Sequence, residues 1–113
     1  MKRVKPSETL RDTPCAMVAV ACARNAQKAD TDVERQGDYV SLASMNKYVR
    51  RLLRVRRQVK YKRGERPLLK DLHFPGKAVV CVLGHYIYLD GETYYSFFKN
   101  SGDEVVSLWE LEA

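Results

Sequence analysis

Few side chains in this sequence can do covalent chemistry, and two of them stand at positions where chemistry is easily arranged. Cys15 opens the run Cys15-Ala16-Met17-Val18-Ala19-Val20-Ala21-Cys22-Ala23, nine residues that are all apolar or thiol-bearing. A helix made of that run is apolar on every side, so protein must enclose it. A cysteine in its first turn meets unpaired backbone N–H groups and the positive end of the helix dipole, both of which favour a thiolate. His85 follows Gly84 between two apolar β-runs, where an imidazole can act as a base. Each residue also has an ordinary role open to it: Cys15 as core filler and His85 as a hydrogen-bonded structural histidine. Cys22, two turns along the same helix face, and Cys81, inside an apolar strand, read as core; His73 sits in a turn before Phe74-Pro75-Gly76.

The elements that must position these residues follow from periodicity and turn chemistry. Asp12 or Thr13 can cap the first helix, with Pro14 in its first turn, and Ala-rich sequence extends it to about Ala29. Residues 30–38 are polar and contain Gly37, which predicts a loop long enough to be functional. Leu42, Met45, Tyr48, Val49, Leu52 and Leu53 recur at three- and four-residue steps, predicting a second helix over Ser41–Leu53. Val55–Tyr61 alternates as a half-buried edge strand, and Leu68–Leu72 makes a helical turn. After Lys77 the pattern is all strand: Ala78–Leu83, Tyr86–Leu89, a turn at Asp90-Gly91, Thr93–Phe98, a turn over Asn100–Asp103, and Val105–Leu111. The expected fold is a single α+β domain over 1–113. A central N-terminal helix and a second helix pack on a C-terminal antiparallel sheet, and residues 1–12 form a flexible polar arm.

Composition narrows the setting. A chain of 113 residues with 45% hydrophobic content can bury a core of its own. No apolar run approaches the ~20 residues of a membrane span, and the basic start Met1-Lys2-Arg3 reads as mature sequence rather than a signal peptide. Three cysteines at unrelated spacings argue against a disulfide framework and suit a reducing cytoplasm. Without a Cys-x-x-Cys pair, and with two histidines, no structural metal site is expected, and no cofactor is implied.

Charge is distributed unevenly. Ten cations fall between Lys47 and Arg66 against Glu65 alone, whereas from Gly84 onward Lys99 faces six acids. The cluster Lys47, Arg50, Arg51, Arg54, Arg56, Arg57, Lys60, Lys62 and Arg63 can attract a nucleic-acid backbone without sequence preference, or an acidic protein surface. No helix-turn-helix, zinc-finger or RNA-binding signature accompanies it, and a plain solvated face is the simpler account.

The layout resembles the papain-like cysteine peptidases. In that family a cysteine at the start of the central helix faces a histidine on a later antiparallel sheet. The stretch Gly84-His85, the apolar strand after it, Asp90-Gly91 and the aromatic run Tyr94-Tyr95-Ser96-Phe97-Phe98 is most similar to the histidine half of the small bacteriocin-processing peptidases and their relatives in bacteria and phages. The resemblance implies Cys15 as nucleophile, activated as an ion pair with His85, and an amide or acid that orients the ring. Asn100, fifteen residues after His85 at a strand end, is the best candidate for the orienting role. Ser96 ranks below it because a hydroxyl orients an imidazole weakly, and Asp90 belongs to its hairpin turn.

Three departures from the family stand out. Thr9 occupies the place of the usual oxyanion-hole Gln, Ala16 the place of the usual Gly after the cysteine, and Ser96 the place of an acid after the paired aromatics. Losing one oxyanion donor costs about 10²–10³ in rate. The function implied is hydrolysis or transfer at an amide or thioester bond of a peptide or protein. The alternative is a catalytically silent domain of the same fold that binds an acidic protein or nucleic acid through its basic face.

Overall fold

The computed structural model describes residues 1–37 and 39–112. They form two helices and a six-stranded mixed sheet: β1 (Lys2–Val4), α1 (Cys15–Ala23), α2 (Leu42–Leu52), β2 (Val55–Lys60), β3 (Lys77–Val82), β4 (His85–Asp90), β5 (Thr93–Tyr95) and β6 (Val105–Leu111). Single 3-10 turns lie at Glu8–Leu10 and Leu69–Asp71. The strands are ordered β1-β5-β4-β3-β6-β2. The expected α+β class holds, but the sheet is not purely antiparallel, because β1 runs parallel to β5, with Lys2 opposite Thr93 and Val4 opposite Tyr95.

This edge pair also revises the N-terminal arm. Lys2–Val4 belongs to the sheet, and Leu10 in the following turn is buried with Val18 and Ala21. That third cluster, which Phe97 joins, covers a further side of α1, so the enclosure demanded by an apolar helix comes from three directions. The sheet lies on one side, α2 on another and the N-terminal segment on the third.

Helix α1 is shorter than predicted, ending at Ala23 instead of about Ala29. Asn25 adopts a left-handed φ of 52°. Its N–H bonds the Cys22 carbonyl at 3.0 Å while Ala26 N–H bonds the Ala21 carbonyl at 2.9 Å. This is a Schellman stop, with Asn in the role usually given to Gly. Neither Asp12 nor Thr13 caps the helix; Pro14 is the capping residue, and its carbonyl accepts from Met17 and Val18. Helix α2 starts as expected, with Ser41 Oγ accepting from Ser44 N–H.

The sheet buries both faces, as the continuous apolar runs of β3 and β4 require. Val79, Cys81, Tyr86 and Trp109 meet the helices, whereas Ala78, Val80, Val82, Ile87, Leu89 and Leu108 pack against Leu69, Leu72 and Phe74 on the other side. The register of β6 shifts opposite Cys81/Val82. The bulge lets Val105 stay on the second face while Val106 joins the helix side. Trp109, fully buried, donates its indole N–H to Asn46 Oδ1 on α2 at 2.9 Å, which pins the second helix to the sheet.

The loop predicted over 30–38, whose last residue lies outside the described ones, is tied down at several points. Tyr48 O–H donates to the Asp30 carbonyl, Arg51 reaches Asp30 and the Asp32 carbonyl, and Tyr86 O–H donates to the Val40 carbonyl at 2.8 Å. Among the described residues no helix is long and apolar enough to cross a membrane.

Candidate active site

Cys15 is the first residue of α1 and half-buried. A left-handed Asp12 (φ 62°) turns the chain from the N-terminal 3-10 turn into the helix and presents Cys15 at its mouth. His85 is the first residue of β4, brought there by the two-residue turn Leu83-Gly84, in which Gly84 takes a φ of 80°. Leu83 N–H bonds the Glu104 carbonyl at 2.9 Å, so this turn is fastened to the loop that precedes β6. Because β4 packs on α1, the two residues come to the same cleft. Both line two cavities, one of about 230 Å³ and one of about 160 Å³.

Behind His85 stands a chain of buried polar groups. The ring Nε2 lies 3.2 Å from Ser96 Oγ, Ser96 Oγ lies 2.6 Å from Asn100 Oδ1, and Asn100 Nδ2 lies 2.8 Å from Asp103 Oδ2. Ser96 and Asn100 are only 2% and 5% exposed. Donor counting fixes every proton in this chain. The Asp103 carboxylate only accepts, so Asn100 must turn its NH₂ toward it and its carbonyl oxygen toward Ser96. The single Ser96 hydrogen therefore goes to Asn100, and Ser96 Oγ, which also accepts from Phe98 N–H at 3.0 Å, can only accept from the histidine. His85 thus carries its proton on Nε2 and keeps a lone pair on Nδ1. The Phe98 ring, edge-on to the imidazole at 5.5 Å, holds its plane.

Asn100 is accordingly one link removed from the role expected of it. Ser96 touches the imidazole, and Asn100 orients Ser96. Asn100 is itself fixed from behind, its N–H accepted by the Tyr94 hydroxyl at 3.1 Å. A serine, which alone orients a ring weakly, does so here because its own hydrogen is committed elsewhere.

The electrostatics differ from the ion pair that the resemblance implies. Burial pushes the Cys15 thiol above its ordinary range, although the backbone N–H groups of Tyr86, Ala16 and Cys15 itself pull the other way. Burial also lowers His85 below the usual imidazole value, opposed by the Asp103 carboxylate. Both shifts favour neutral forms, and among the described residues no hydrogen bond joins Cys15 Sγ to the ring. Burial thus disfavours both the thiolate and the imidazolium in this cleft. Cys22 and Cys81 are both pushed up to about 11 by burial. Cys81, expected as core, also forms part of the larger cavity wall.

Donors for an oxyanion are sparse. Thr9 is turned away, its hydroxyl donating to the Gln27 carbonyl at 2.6 Å. The Cys15 backbone N–H remains, and Thr13, assigned to capping by its sequence position, instead lines the smaller cavity next to Cys15. The rim is unusual in another way. Of the four exposed large hydrophobic residues among those described, Tyr39 and Leu83 border the larger cavity and Phe98 the smaller, so exposed apolar surface concentrates at this cleft.

The basic stretch is not assembled into a comparable site. All nine cations are exposed. Arg50 donates to Asn46, Arg51 pairs with Asp30, and Arg56 and Arg57 converge on Glu110 at 3.8 and 2.5 Å. Lys47, Arg54, Lys60, Lys62 and Arg63 make no ion pair among the described residues. Comparison with protein-family models, with curated proteins and with solved structures finds no match.

Proposed function

We propose that this protein is a thiol hydrolase of papain-like arrangement that cleaves or transfers an acyl group at an amide or thioester bond. The observation that carries the reading is the directed chain Asp103–Asn100–Ser96–His85, which leaves a basic lone pair on Nδ1 of a histidine that shares two cavities with Cys15. A structural histidine needs its hydrogen bonds satisfied; it does not need its tautomer fixed through three further side chains.

In the proposed reaction Nδ1 takes the Cys15 proton as the sulfur attacks the acyl carbon, so the ion pair forms during attack rather than before it. The Cys15 N–H faces the developing oxyanion. His85 then returns the proton to the leaving nitrogen or sulfur, giving a thioester on Cys15. Water attacks that thioester with His85 again as base, releasing the acid and restoring the thiol.

The test is acylation followed by intact-mass spectrometry with a small activated thioester. The expected result is one acyl group on Cys15, absent from Cys15→Ser and much slower in His85→Ala. Equal, slow modification of all three cysteines would overturn the reading. In that case the second reading takes over: a silent domain of the same arrangement that works by binding, favoured by the raised Cys15 thiol and by Thr9 being turned away from the cleft.

A further inference from the structure

The walls of the larger cavity describe an occupant. They are apolar, built from Val40, Leu42 and Val106, and Tyr39 and Leu83 stand 63% and 59% exposed at the rim. One charged side chain enters this lining among the described residues, Arg66. Its Nε is sealed from solvent and has no hydrogen-bond partner among the described residues. The guanidinium also acts electrostatically on Cys81 in the same wall, favouring the thiolate there, so its charge is felt inside the cavity. The rest of this half-buried guanidinium borders the cavity, and a carboxylate matches its geometry with two parallel hydrogen bonds.

We propose that this cavity is the specificity subsite of the Cys15 cleft, and that it takes an extended peptide segment with a large apolar side chain beside a carboxylate that reaches Arg66. The apolar side chain covers Tyr39 and Leu83, which otherwise stay exposed to water. The carboxylate belongs to an acidic side chain or to the peptide's own C-terminus. The identity of the bond cut rests on the thiol-hydrolase reading; the binding preference does not.

The two are separable with Cys15→Ala protein, which cannot turn over. Its affinity is measured by fluorescence anisotropy for labelled peptides carrying Leu-Glu, Leu-Gln, Leu-Lys or Ala-Glu with amidated ends, and for Leu-Gln with a free C-terminus. The Leu-Glu peptide is expected to bind about tenfold more tightly than Leu-Gln, the size of one charge-assisted pair, and more tightly than Ala-Glu. The free C-terminus shows whether the acid is terminal or internal. Adding Arg66→Gln removes the preference, with circular dichroism and thermal unfolding reporting an intact fold. Arg66→Glu turns the preference toward Leu-Lys. Equal affinity for Leu-Glu and Leu-Gln, a preference that survives Arg66→Gln, or no binding by any of the peptides would overturn the proposal. Failure of acylation with this preference intact would remove the reaction and keep the subsite.

Discussion

The cleft and the basic edge carry their polar groups in opposite ways. At the edge, nine cations stand in water, and three of them, Arg51, Arg56 and Arg57, are held by acids. Exposed pairs of this kind contribute little and loosen in salt. At the cleft, Ser96 and Asn100 are buried, each hydrogen bond has a direction, and the one carboxylate acts through two intermediaries on a half-buried ring. The denser charge in the sequence is thus the less organised feature in space. What marks a site is polar groups buried in a fixed order beside exposed apolar surface.

The sharpest way to break this contrast is mutation on each side of it. Cys15→Ala and His85→Gln are expected to lower turnover of a thioester substrate by about 10³ or more, while the triple change Lys60→Gln, Lys62→Gln, Arg63→Gln leaves it within about twofold, since exposed charges distant from the reacting atoms add little. Equal losses in the two sets, measured as kcat/KM at moderate salt, would make the comparison meaningless.

Ser96→Ala comes next. It strands the Asn100 carbonyl, the Phe98 N–H and the His85 Nε2–H, and an unsatisfied buried group costs about 1–3 kcal/mol. Thermal unfolding should show a lowered Tm, and kcat should fall more than KM changes, because the ring loses its orientation rather than its place in the cleft.

Asp103→Asn should have a smaller effect with a more specific signature. An amide at 103 can donate as well as accept, so Asn100 is no longer forced to face Ser96 with its oxygen. Removing the carboxylate also removes the influence that raises His85. The acid limb of kcat/KM, which rises as His85 loses its proton below the usual 6.5, should therefore move to still lower pH. A limb that moves upward would mean that Asp103 does not act on this ring.

Stability offers the mildest test. With the folded His85 value below the unfolded one, its contribution is complete above about pH 6.5. As pH falls the unfolded chain takes up the proton first, and stability is lost down to the folded value. Urea midpoints across pH 5 to 7 should show this slope in the wild type, and His85→Gln should flatten it.

Much of the frame was legible in the chain. The apolar run of α1, the alternation after Lys77, and the Gly84 and Gly91 turns place Cys15 and His85 on adjoining elements, because burial and turn chemistry are local signals. The end of α1 was misread for a physical reason: alanines continue beyond Ala23, and the stop lies in one left-handed Asn25 that composition hides. The parallel edge strand was invisible because Lys2–Val4 pairs through its backbone, and three mostly polar residues carry no periodicity. The Ser96–Asn100 order escaped because the loop folds back on itself, bringing residues four apart into contact. Spacing from His85 favoured the amide, while geometry inserts the hydroxyl. The bias of the pair against charge could not be read at all, since it depends on how deeply each group is buried.

The most direct measurement of the central claim is the protonation of the His85 ring nitrogens, read by long-range nitrogen–proton NMR correlation across a pH titration. A proton on Nε2, a bare Nδ1 at neutral pH and a titration midpoint below 6.5 that falls further in Asp103→Asn are expected. A proton on Nδ1, or an imidazolium that persists well above pH 6.5 as it would in a preformed ion pair with Cys15, would contradict that claim.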